Sequence, residues 1–165
     1  MIFRVTQKLA KKIKVVPTTS FQPHDNPFLD WTAHLFMVSR RQCIMLTNSR
    51  CLYSIVLTGK GITSEKSFVE QGLKDLRDYM VLDGTAYIFD VNLEPQVDSV
   101  TFCKAGDRRV LGSMNDFIYQ TKRYLLEMGL PVPLVNMRLN EMPMSMLEYR
   151  HPKMALLAFA GQLKS

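Results

Sequence analysis

At 165 residues, with 47% apolar and 22% charged residues and eight each of Gly and Pro, the chain has the make-up of one globular domain, residues 1–165, and not of a disordered or collagenous protein. Three cysteines, at positions 43, 51 and 103, form no CxxC pair and no even-numbered framework, which argues against a secreted disulfide scaffold and for a reducing cytoplasm. The net charge of +6 is compatible with an anionic partner such as nucleic acid or a membrane surface.

The chain opens with "MIFRVTQKLAKKIKVV", whose apolar run is too short for a signal peptide. Ile2 to Val5 is a candidate strand. The densest basic segment follows, Lys8, Lys11, Lys12 and Lys14, and helical spacing turns Leu9 and Ile13 inward while the lysines stay in water. From Thr32 to Leu57 three apolar, β-branched or aromatic runs separated by "SRRQ" and "NSR" predict an antiparallel β-meander. Short turns there would set His34, Thr47 and Cys51 in one row and Cys43 opposite Ile55. That register keeps His34 and Cys51 two strands apart, so no zinc site is expected. Trp31, Phe36 and Tyr53 read as sheet-core anchors. "TGKGITS" around Lys60 mimics a phosphate loop but lacks the upstream glycine, Ser54 standing in its place, and reads as a polar connector.

Helices dominate the remainder. "SFVEQGLKDLRDYMVLDG" has Ser67 and Glu70 at capping-box spacing, Val69, Leu73, Leu76 and Met80 on one face, and an Asp-Gly stop. Ala86 to Val91 and Val97 to Cys103 are candidate further strands. A long helix starts after Asp107, a good N-cap, with Val110, Leu111, Met114, Phe117, Ile118, Leu125 and Met128 on one arc, and ends near Gly129. A shorter helix begins at Pro131 and Pro133, and a last one follows His151-Pro152. The longest apolar run, "MALLAFA", is far below membrane-spanning length, and no membrane partner is expected. The elements add up to an α+β single domain, a β-meander packed against several α-helices.

"GDRRVLGSMNDF" is the stretch with the most chemistry. At about 100° per residue, Arg108, Gly112, Asn115, Tyr119 and Lys122 fall on one non-core flank beside Asp116. A glycine inside a helix usually marks the close approach of a backbone or ligand, so Gly112 predicts a neighbour there. Two readings follow: Asn115 and Asp116 satisfying a crossing loop, or Arg108 and Lys122 holding an anion. Together with "DWTAHLFMVSRRQCIMLTNSRCLYSIVL" and "RLNEMPMSMLEYRHPKMAL", the stretch resembles a family of small uncharacterised bacterial proteins classed as a domain of unknown function. The resemblance implies a single α+β domain and no assigned reaction. Two functions remain open: a non-catalytic cytoplasmic module binding nucleic acid or an acidic protein through the first helix and the Arg108 flank, or an enzyme acting on a phosphate-bearing substrate through Arg108, Asn115, Asp116 and Lys122. No cofactor is expected and no metal ligand is assigned, although in the second reading Asn115 and Asp116 would position a metal, a water or the substrate.

Overall fold

The strands are β1 (Ile2–Val5), β2 (Asp30–Val38), β3 (Arg41–Asn48), β4 (Ser54–Thr58) and β5 (Thr101–Lys104). A computed structural model, which describes residues 1–162, places them in one sheet in the order β4-β3-β2-β1-β5. The helices among these residues are α1 (Gln7–Ile13), α2 (Glu65–Asp83), α3 (Ala86–Ile88), α4 (Arg108–Leu126), α5 (Val132–Asn140) and α6 (Pro152–Gln162). The meander exists, since β2–β3 and β3–β4 pair antiparallel. It is only part of the sheet, because β1 lies between β2 and β5 and runs parallel to both. The domain is α+β with a mixed sheet. Parallel neighbours need a crossover, and α1 with the long loop to Pro27 supplies it.

The register departs from the expected one. Thr47 sits between Thr32 and Ser54, His34 opposite Met45, and Cys43 between Phe36 and Thr58. Two local devices cause the shift. The first turn is tight, with Ser39 in the left-handed region at φ 54. At the second, the Asn48 side chain accepts from the amides of Arg50 and Cys51, which carries Cys51 to Tyr53 out of the ladder. On β4 the change is an odd number of residues, so its side chains exchange faces.

Phe3 and Phe102 are register partners, and both rings meet Phe68 of α2 at centroid separations of 5.2 and 6.2 Å. The first two helices cover this face. Val38, Cys43 and Val56 belong to the other face and share a cleft with Leu125 of α4. Trp31, Phe36 and Tyr53 are buried as expected, and so are Val110, Met114, Phe117 and Ile118. Met128 is exposed beyond the end of α4.

Two element assignments change. The capping box of α2 belongs to Ser64, whose hydroxyl accepts from the Ser67 amide while the Ser67 hydroxyl accepts from the Ser64 amide. Ala86 to Val91 is helical, α3 continuing into a π turn over Phe89–Leu93. Ile88, Phe89 and Leu93 are buried by it, a spacing no strand can deliver to one face. Gly84 ends α2 at φ 82, as the Asp-Gly stop predicts.

The outer edge of β4 is closed by side chains. Asn136 of α5 accepts from the Val56 amide at 2.9 Å, and Asn140, one turn on, both accepts from the Ser54 amide and donates to the Ser54 carbonyl at 2.8 Å. Edge backbone groups are thereby satisfied without a further strand. No helix among the described residues is long and apolar enough to cross a membrane.

Candidate functional site

The six residues of the α4 flank, Arg108, Gly112, Asn115, Asp116, Tyr119 and Lys122, are all exposed on the outer side of that helix. The Asp107 carboxylate caps α4 as expected, accepting from the amides of Arg109 and Val110. The neighbour expected at Gly112 is absent: a Cβ built there meets nothing within 4 Å. Arg108 and Lys122 stand fourteen residues apart on one helix, about 21 Å along its axis, too far for one phosphate group to bridge. The flank is an open convex row. Gly112→Ala should therefore raise stability by about 1 kcal/mol by removing the helical glycine penalty, read as a rise in melting temperature. A fall would reveal a contact at that position.

The first helix has more company than its own lysines. Residues 1–64 hold nine Lys or Arg against two Asp, whereas residues 65–165 hold twelve against thirteen Asp or Glu, so the positive excess comes entirely from the first part. Of those two acids, Asp30 is buried in an ion pair with Arg4. Lys12 Nζ donates to Gln42 Oε1 at 2.6 Å, and the Gln42 carbonyl accepts from the Gly59 amide at 2.8 Å. The end of α1, the start of β3 and the loop after β4 thus meet, bringing Lys12, Arg41 and Lys60 to one end of the sheet. Gly59 is required by this approach, because a Cβ there would lie 2.9 Å from that of Gln42. Lys11 shares a groove with Lys104, at the end of β5. Burial, helped by the Lys8 charge, holds the His34 imidazole below its ordinary pKa. None of Lys8, Lys11, Lys12, Lys14, Arg40, Arg41, Lys60 and Lys104 forms an ion pair among the described residues. This basic belt lies across α1 and the hairpin end, where Arg41 also lines the cleft that holds Leu125 of α4.

Sequence reasoning missed a third feature. Arg4, Thr32, Thr47 and Ser54 are successive register partners across four strands, and all are buried. The Thr47 and Ser54 hydroxyls bond at 2.8 Å, those of Thr32 and Ser49 at 2.9 Å. Arg4 forks onto Asp30, Nε to Oδ1 at 2.7 Å and Nη2 to Oδ2 at 2.8 Å. Its remaining donors hold a strap: Nη1 to the Ser20 carbonyl at 2.7 Å and Nη2 to that of Gln22 at 2.8 Å. A cavity of about 260 Å³ beside the pair is lined by Phe21, Asp30, Thr32, Arg50 and Asp107. With both buried charges satisfied, the pair is first a staple fixing the strap to the sheet. The signal that could have found it was a charge inside an apolar strand run, "IFRV", which demands a partner.

A family model described as Domain of unknown function (DUF6933) matches residues 2–155. No curated protein matches the chain.

Proposed function

The chain belongs to this family of unknown function, so no reaction comes to it by kinship, and we propose from its own surface that it is a non-catalytic module binding a polyanion, nucleic acid in particular, through the basic belt. The observation that carries the reading is the run of eight cations without an ion pair, gathered from α1, the β2–β3 turn, the loop after β4 and the end of β5. Held lysines and arginines displace the counterions condensed on a phosphate backbone, and that release drives association. Protein interfaces are depleted in lysine, which favours a phosphate backbone over an acidic protein surface as the partner. The α4 flank, with Arg108, Asn115, Tyr119 and Lys122, is a second contact for an extended partner only, since its cations are spread along the helix. It offers a small phosphate-bearing substrate no enclosed site.

Fluorescence anisotropy with a labelled DNA duplex tests this. If about six phosphates are neutralised, the logarithm of affinity falls with the logarithm of salt at a slope near −5. Equal binding of polyglutamate with the same slope would move the partner to an acidic protein. Absence of binding to either at low salt would overturn the proposal.

A further inference from the structure

A cavity of about 430 Å³ opens between the C-terminal end of α2 and the facing sides of α5 and α6. Its walls are apolar, with Tyr79, Leu82, Pro131, Leu134 and Met137. Three charged groups reach it: Asp83, Glu141 and Lys153. Asp83 forms the floor with its side chain only 7% exposed. Its Oδ2 accepts from the Tyr53 hydroxyl at 2.6 Å, and its Oδ1 from the Thr85 hydroxyl at 2.5 Å. Lys153 gives its short hydrogen bond, 2.7 Å, to the Asp83 backbone carbonyl, and its ammonium stands 3.9 Å from the carboxylate. Glu141 is exposed at the rim and has no ion-pair partner among the described residues. The cavity therefore sets two carboxylates against one ammonium within apolar walls. Burial pushes the Tyr79 hydroxyl up to about 12 against the lowering effect of its hydrogen bond with Asn140, and Asp83 and Glu141 both add to the rise.

We infer that this cavity binds a small hydrophobic cation, an aromatic or branched aliphatic body seated against Leu82, Leu134 and Met137 with its ammonium turned to Glu141 and Asp83. Charge complementarity selects the class. An apolar anion finds the one ammonium, that of Lys153, already engaged by the Asp83 carbonyl and carboxylate, and meets two carboxylates in a medium where like charges repel strongly. A neutral ligand covers Glu141 and strips its water without replacing it, at the cost of an unpaired carboxylate. An ammonium replaces that water, while its apolar body is taken out of solvent by the walls. The site belongs to the α2–α5–α6 corner and does not depend on the polyanion reading.

Methyl-resolved NMR of Leu82, Leu134 and Met137 tests it, by titration with 2-phenylethylammonium, 2-phenylethanol and 3-phenylpropionate at neutral pH. The ammonium should shift all three residues with a Kd at least about tenfold below that of the carboxylate and below that of the alcohol. Glu141→Gln should erase most of that preference. Leu82→Lys, at a position 70% exposed and so outside the core, should abolish the shifts of Leu134 and Met137 by setting a competing ammonium in the wall. Absence of shifts with the ammonium, binding of carboxylate or alcohol as tight as the ammonium, or an unchanged preference in Glu141→Gln would each overturn the inference.

Discussion

Asp30→Asn lowers the stability of the folded chain by about 3–5 kcal/mol, the cost of leaving a buried guanidinium without its counter-charge. Arg4 and Asp30 are 6% and 1% exposed, so each charge is compensated mainly by the other. Against a total of about 5–15 kcal/mol for an ordinary domain, the loss is a large share, and the melting temperature should drop by about 10 °C. Arg4, which holds the strap, loses the carboxylate that orients it, so the region around Ser20 and Gln22 should become an early proteolytic site in the variant. The effect depends on pH in a definite direction. Burial alone would raise the Asp30 pKa, but the Arg4 guanidinium, the His24 amide and the Ser49 hydroxyl together hold it below the ordinary carboxylate value. A depressed folded-state pKa gives stability that is present above the unfolded value, near 4, and is lost as pH falls through the folded one. The wild type and Asp30→Asn therefore converge in strongly acid solution. A gap that stays constant down to low pH would contradict the pairing.

Asn140→Ala is the second large effect. The Asn140 amide serves the donor and acceptor of Ser54 at once, in a setting where Ser54 is fully buried. Orphaning a buried backbone group costs about 1–3 kcal/mol, and here two are orphaned together with a small cavity. Hydrogen exchange at the Ser54 amide should accelerate with the loss of stability, while Val56, still served by Asn136, should respond less. A melt within about 0.5 kcal/mol of wild type would show that water replaces the amide.

The elements most legible in the sequence were those set by local chemistry. Asp107 as an N-cap, the Gly84 stop and the inward faces of α2 and α4 follow from residues within a few positions of each other. The position of β1 does not, because parallel pairing leaves no turn to read and is decided by what α1 buries on the sheet. The meander register turned on two details invisible to pattern, the left-handed Ser39 and the Asn48 side chain acting as a turn. Val91, 72% exposed, shows why Ala86 to Val91 misled: a β-branched run was helical because its apolar neighbours, Ile88 and Phe89, had to reach one side. Gly112 was ambiguous in principle, since a helical glycine marks either a close approach or nothing at all. The basic belt was half visible in the lysines of α1. Its other half needed the fold, which brings Arg41 and Lys60 to Lys12 through Gln42, although the shortage of acids before Glu65 was there to be counted.

In the function proposed, the polyanion is bound on the belt. The most direct measurement is the DNA affinity at low salt of two charge-reversal pairs, Lys11→Glu with Arg41→Glu on the belt and Arg108→Glu with Lys122→Glu on α4, each checked for an unchanged melt. The belt pair should weaken binding by at least about tenfold and flatten the salt slope, whereas the α4 pair should weaken it by less. Loss of binding in the α4 pair with wild-type affinity in the belt pair would contradict the account.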